Sequence, residues 1–466
     1  MHTKRNRLRP AALALLTVSC AAYSAHAQSA DALIDKLVDK GILTVKEAKD
    51  LREEADKGFT SAYQAKSGMP DWVTQFKFTG DLRARYDGVF NPDPAPGNTA
   101  LIDDRHRFRY RLRVGAIATI RDNFEVGFRL TSAEPQGTFG GDPISGNASF
   151  QDNGSKKFIY IDQAYAKWAA LNTPTLSGTL TVGKMENPFV FSEVVFDPDY
   201  TPEGAAINLA YNITDAHTVK FIGGGFMLDE LSNDANDPFL TGAQLRWDAA
   251  WTPKIQSSIG GALLSIVNAK STLSSEGLSS SNVPDVNHGN SRTAVTTPAA
   301  ANVLDNTFTT VVADASVTYN LESFPFYKAA FPIRVGAEYA RNLTVEERNE
   351  AYAFGVTFGK SGKKGLWDVS YKYKELQGDF WFEELVDSDF GGFYQTASKF
   401  TAGTGYRPGT NLRGHVIKAQ YSFFDSFTLG ATAYIADVID SAAAGPIAAE
   451  YDSQVLRVQL DAVWKF

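Results

Sequence analysis

The sequence has 466 residues, 44% of them hydrophobic and 21% charged, which excludes a disordered chain and leaves several globular domains or one very large barrel. Its 45 Lys and Arg stand against 53 Asp and Glu, a formal charge of −8, which argues against a nucleic-acid binder, whose balance is normally basic. Beyond the N-terminal segment no stretch has the roughly 20 apolar residues of a membrane helix, although a closed β-barrel crosses a membrane without one.

At the N-terminus, Lys4, Arg5, Arg7 and Arg9 precede a short apolar run (PAALALLTV) and the small-residue site Ala25-His26-Ala27. This order reads as a secretory signal peptide, residues 1–27, cut after Ala27. The one cysteine, Cys20, falls inside it, and the TVS before Cys20 lacks the leucine of a lipoprotein site, so the rest of the chain is expected to carry no disulfide. Residues 28–70 are expected to be a helical periplasmic segment and linker. Ala32, Leu33 and Leu37 are followed by a break at Gly41, then by Ile42 and Leu43. Thr44 to Glu47 (TVKE) has the spacing of a capping box opening a second helix. Residues 29–57 read either as a periplasmic contact or as a solvated leader.

From residue 71 to 466 the period becomes two, the mark of strands with two unlike faces. The first strand, near 74–86 (TQFKFTGDLRARY), sends Phe76, Phe78, Leu82 and Tyr86 one way and Lys77, Thr79, Asp81, Arg83 and Arg85 the other. The second, RHRFRYRLRVGA from 105, sets Arg105, Arg107, Arg109, Arg111 and Arg113 against His106, Phe108, Tyr110, Leu112 and Val114. After a tight turn at 121–123 come FEVGFRLT and strands near 160–168, 176–184, 204–211, 218–226, 242–247 and 255–267. A Ser/Asn/Thr-rich stretch, 271–306, has no apolar period and reads as a long loop. Strands resume near 311–319, 333–340, 351–358, 366–375, 415–423 and 427–435. In the terminal VLRVQLDAVWKF, Leu456, Val458, Leu460, Ala462, Trp464 and Phe466 share one face. The count is about 16, and about 18 at most.

Connections alternate between long and short, with exceptions near 320–331 and 342–349. Aromatic residues such as Trp168, Tyr211, Trp247, Tyr319, Phe358 and Trp464 stand toward strand ends. Long loops at one end, short turns at the other and aromatic girdles belong to an all-β, transmembrane antiparallel β-barrel of the outer membrane. The polar faces are expected to line water, since an Arg at the lipid midplane costs roughly 2–4 kcal/mol.

The leader, the segment DALIDKLVDKGILTVKEAKDLREEAD, the strand series and the terminal Phe466 together resemble the putative porin family of Gram-negative outer membranes. The resemblance covers the chain from about Asp31 to Phe466. It implies a passive diffusion channel for small hydrophilic solutes or ions, and a homotrimer, as is common among related porins. It implies no catalytic residue and no cofactor. The expected surroundings are outer-membrane lipid and lipopolysaccharide.

The candidate channel wall is Lys77, Arg83, Arg85, Arg107, Arg109, Arg111 and Arg113. It reads as one side of an electrostatic filter, or as a basic wall paired to neighbouring acids such as Asp81 and Glu125. The candidate constriction loop, 185–203, carries Glu186, Glu193, Asp197, Asp199 and Glu203 among Phe189, Val190, Phe191, Val194, Val195 and Phe196. That apolar content suits a loop folded into the lumen, with a lip at the mouth or a trimer contact as alternatives. The stretch GDFWFEELVDSDFGGFY within 376–412 reads as a sugar-binding lip or as a lid or packing element. No Gly-x-Ser-x-Gly elbow, HExxH or Cys/His cluster supports an enzyme. The rival reading is a non-conducting adhesin or structural barrel. Against it, the inward sets include Gly115, Gly127, Gly183, Gly336 and Gly430, which leave space.

Overall fold

The computed structural model describes residues 44, 47–49, 51, 69–90, 104–136, 140–191, 193–231, 235–270, 289–295, 301–391, 409–440 and 454–466. The signal peptide and most of the helical segment expected at 28–70 lie outside them. The chain divides into two units, 1–74 and 75–466. In the first, the capping box forms: Glu47 N donates to Thr44 Oγ1 (3.2 Å) and Thr44 N donates back to Glu47 Oε2 (2.8 Å), opening a helical turn at 47–49.

The second unit is an antiparallel barrel of 16 strands, running from β1 (Val73–Phe90), whose first residues belong to the other unit, to β16 (Val455–Lys465). Between them come β2 (Arg105–Ile120), β3 (Phe124–Ala133), β4 (Phe158–Asn172), β5 (Leu176–Lys184), β6 (Glu203–Thr214) and β7 (His217–Met227). The circuit continues through β8 (Phe239–Ala250), β9 (Ile255–Val267), β10 (Phe308–Leu321), β11 (Phe331–Asn342) and β12 (Glu350–Gly359). It ends with β13 (Trp367–Leu376), β14 (Leu412–Phe424) and β15 (Phe427–Val438). Each strand pairs with its chain neighbour, and β1 pairs with β16 through Arg85↔Asp461 and Tyr86↔Leu460, so the sheet has no free edge. The long connections fall between β1 and β2, β3 and β4, β5 and β6, β7 and β8, β9 and β10, β13 and β14, and β15 and β16. Those between β10 and β11 and between β11 and β12 depart from the alternation, as the spacing suggests.

The period-two faces separate as the side-chain chemistry demands. Phe108 is 60% exposed while its neighbour Arg109 is 9% exposed. Val126, Phe128, Ile259, Val335, Phe354 and Leu460 face outward in the same way, toward where lipid replaces water. The strands outrun their sequence-level bounds by up to four residues, because pairing continues into the polar ends where the hydrophobic period fades.

One expectation is corrected. The stretch 271–306 contains a hairpin, Arg292–Val295 against Ala301–Leu304. Its four-residue strands are too short for a period to stand out against the Ser/Asn/Thr background. Residues 271–288 and 296–300 lie outside the described residues.

Candidate functional site

Arginines on β2 recur every second residue, so their side chains share the inner face. Arg113 Nε donates to Asp81 Oδ2 (2.6 Å), and Arg111 Nη1 donates to Asp199 Oδ2 (2.6 Å). Each also reaches the other's acid at 3.3 Å, so Asp81 and Asp199 bridge the two guanidiniums. Arg107 pairs with Asp87, which also accepts both Nε (2.6 Å) and Nη2 (2.9 Å) of Arg457. Arg85 grips Asp461 of β16 through two N–H groups (2.7 and 2.8 Å) and donates to Asp389 (3.1 Å). Arg83 and Arg109 turn instead to Asn147: Arg83 Nη2 donates to its Oδ1 (2.8 Å) and Arg109 Nη2 to its backbone oxygen (3.5 Å). Lys77 is exposed. Of the two acids named beside this wall from sequence, Asp81 joins it. Glu125 accepts from Tyr165 (2.9 Å) and lies 3.8 Å from Lys167.

The segment 185–203 sends its acids to different strands. Asp199 meets the β2 arginines, Glu186 meets Arg129 of β3 (3.3 Å), and Glu193 meets Lys372 of β13 (2.9 Å). Glu203 opens β6 and pairs with Lys184 (2.9 Å), and Asp197 accepts from Ser388 N (3.0 Å). On β8, Gln244 Nε2 (2.9 Å) and Arg246 Nη1 (3.0 Å) donate to Val190 O. A segment bonded at once to inward groups of β2, β8 and β13 crosses the interior of the barrel. Its apolar residues have a physical reason to be there. Phe189, Val194, Val195, Phe196 and Tyr200 are buried, and the Phe196 ring stacks on Phe189 (6.2 Å) and Tyr200 (5.7 Å).

A second loop meets the first. From GDFWFEELVDSDFGG, Phe380, Trp381, Phe382, Leu385, Val386 and Phe390 are buried, and Trp381 packs edge-on against Phe196 (6.0 Å, 85°). Asp197 N donates to Leu385 O (2.8 Å), and Lys374 on β13 holds Asp387 (2.6 Å). Of the alternatives for this stretch, residues 377–391 form a packing element inside the barrel, and 392–408 lie outside the described residues. The corrected hairpin is tied to the same loop: Arg292 pairs with Glu383, and Asn290 Nδ2 donates to Gly378 O (2.6 Å) and Trp381 O (2.9 Å). Both loops rest on the apolar ends of inward strand faces, at Phe226, Leu240, Leu264, Phe308, Leu376 and Leu412. Asp389 lies between Arg457 (3.0 Å) and Arg85 (3.1 Å). Burial pushes its carboxyl up, but Arg457 and Arg85 outweigh that and hold it far below the usual carboxylate range.

Beside this plug, polar space remains. A cavity of about 460 Å³ is lined by Arg129, Gln163, Tyr165, Lys167, Glu186 and Asn208, and one of about 440 Å³ by Arg113, Asn187, Phe191, Glu193 and Thr201. Among the described residues, no group of three or more His, Cys, Asp or Glu could hold a metal ion.

A family model described as "Putative porin" matches residues 93–321, the arc from before β2 to the end of β10. That match covers just under half of the chain, and together with the closed 16-stranded sheet it marks a porin-like outer-membrane β-barrel. Among solved structures, the chain is similar to OprB of Pseudomonas putida, at 11% identity and a TM-score of 0.50, over 87% of this chain and 97% of that one. At that identity the likeness speaks for the fold alone. OmpT of Vibrio cholerae also aligns, at 13% identity and a TM-score of 0.41, over 85% of this chain and 99% of that one. No curated protein matches the sequence.

Further residues join this wall. Arg457 and Asp461 stand on the polar face of the terminal strand by parity, without belonging to the candidate wall, and Asp87, which the sequence reading assigns to the loop after the first strand, is an inward residue of β1. Asp389 and Asn147 belong to loops without a period, and no local signal marks them.

Proposed function

We propose that this protein is a diffusion channel for small hydrophilic solutes and ions, with a basic wall on β1 and β2 facing an acidic loop, 185–203, folded into the lumen. The observation that carries the reading is Asp199, a loop carboxylate shared between Arg111 and Arg113 inside a closed 16-stranded barrel. Fixed cations and carboxylates set together where a loop narrows the lumen make a strongly polar path, and such a path favours small, dipolar solutes over apolar ones. The chain is exported with residues 1–27 removed and works as a homotrimer. Residues 28–70 lie on the periplasmic side.

Apolar packing between the two loops, at Phe196 and Trp381, favours a second reading, a closed barrel acting as an adhesin. Purified protein in a planar lipid bilayer separates them. Stepwise, ohmic conductance is the expected result. Protein that inserts and carries no current would overturn the channel reading and leave the adhesin.

A further inference from the structure

We infer that the lumen contains a binding site for small monoanions, carboxylates above all, formed by Arg83 and Arg109, with Asn147 standing where the anion binds. This rests on the diffusion-channel reading and adds the solute class and the place in the lumen where it pauses.

The charges on this wall do not balance locally. Asp81 and Asp199 are taken up by Arg111 and Arg113, and Asp461 and Asp389 by Arg85 and Arg457. Asp87 already carries Arg457 and Arg107. Arg83 forms no ion pair with any described carboxylate. The nearest carboxylate to Arg109 is that same Asp87, at 3.9 Å. Arg109 is nevertheless buried, and the Nε of both Arg83 and Arg109 is enclosed without an acceptor. A guanidinium taken out of water without a counter-charge is held at a cost that an arriving anion removes.

What the two arginines do share is Asn147, through its carboxamide oxygen and its peptide oxygen. Both are neutral acceptors, which satisfy hydrogen-bond geometry but leave Arg83 without an ion pair and Arg109 with only a distant share of Asp87 (3.9 Å). Two guanidiniums converging on one residue's oxygens is the arrangement that a carboxylate fills with charge-assisted bonds. The local fold explains why Asn147 arrives there. The two-residue strand Ala148–Ser149 pairs with β2 where β3 has ended, with Ser149 opposite Arg109 and Ala148 opposite Tyr110. Asn147 is therefore set one residue from the paired positions, and its Nδ2 is tied to Ser145 Oγ (3.0 Å). The strap presents a neutral stand-in that a solute anion replaces.

The test compares three variants of the full chain in planar bilayers. Asn147→Asp supplies the missing charge permanently. Arg83→Gln removes one of the two cations. Asn153→Asp adds the same charge at an exposed site of the same connection. Under a dilute potassium chloride gradient, Asn147→Asp and Arg83→Gln should each lower the anion/cation permeability ratio roughly two-fold or more, while Asn153→Asp leaves it nearly unchanged, because screening by salt isolates the exposed charge. Acetate added at constant ionic strength should reduce chloride current saturably in the wild type and not in Asn147→Asp. A normal conductance with an unaltered permeability ratio in both site variants, or an acetate effect that persists in Asn147→Asp, overturns the anion site and leaves the channel intact. Absence of current from inserted wild-type protein overturns the channel reading instead.

Discussion

At the scale of single residues, the lumen is organised by carboxylates that serve two cations each. Asp389 is the clearest case, because it joins a loop to both β1 and β16 through Arg85 and Arg457. Its folded-state carboxyl titrates below its unfolded value, so the stabilisation it provides is present above the unfolded pKa of about 3.9 and is lost as pH falls through the folded value. Urea unfolding of the barrel refolded in lipid vesicles should therefore show stability falling with acidification below about pH 4. In Asp389→Asn that slope should be shallower by up to about 1.4 kcal/mol per pH unit, from a starting stability roughly 1–3 kcal/mol lower. An identical slope in the two proteins would show that Asp389 is not bonded to the arginines. The cations of this network were legible because strict alternation on β2 assigns each a face. Asp389 was not, because pairing across a lumen leaves no mark on the spacing of either partner.

At the scale of elements, the two inward loops are held less by charge than by space left for them. Strands β7 to β9 carry glycines at inward positions, and a Cβ built on Gly242 would lie 2.5 Å from Phe189 Cζ and 2.7 Å from Leu264 Cδ2. Gly242→Val should push the Phe189 ring off β8 and loosen the 185–203 segment, whose Val190 is bonded to Gln244 on the same strand. The measurement is single-channel conductance with trypsin sensitivity of the segment. Altered conductance and faster cleavage are expected, and wild-type values for both would mean that the loop does not depend on that gap. The strand series itself could be read almost whole, since hydrophobic alternation is a property of each strand alone. The inward course of residues 377–391 could not. Phe380, Trp381 and Phe382 are equally compatible with a lid, a lip or a plug until their partners, Phe196 and Phe308, are known.

At the scale of the whole molecule, the strands are turned inside out relative to a soluble sheet, with arginines and aspartates on their inward faces and valines, leucines and phenylalanines such as Val126, Phe128, Leu245 and Phe354 on their outward ones. Val335, near the middle of β11, is 58% exposed and is flanked by Val317 and Val356 on the adjoining strands. Val335→Arg should destabilise the barrel in lipid vesicles by roughly 2–4 kcal/mol. The lumenal Gly336→Ser, one residue away, should cost far less, because it points to water and to the small Ser316. Comparable costs at the two positions in urea titrations would contradict the assignment of the outer face. This inversion was legible from composition by position: the outward sets end in aromatic residues where an ordinary core would continue in aliphatic ones.

The seam between β1 and β16 also sets an order of events in time. Its ion pairs, Arg85–Asp461 and Arg457–Asp87, join residues 376 and 370 positions apart, whereas every other strand pairing of the barrel links strands adjacent in the chain. The hairpins can form as soon as their own strands are present, but the seam must wait until almost the entire barrel has been threaded into lipid, and its closure carries the largest entropy cost. Until then two strands of unpaired N–H and C=O groups face the bilayer or each other's copies. The salt bridges at the seam thus act as the clasp on the slowest step of assembly, and the interval before they engage is when the unfinished sheet is most exposed to pairing with the wrong partner.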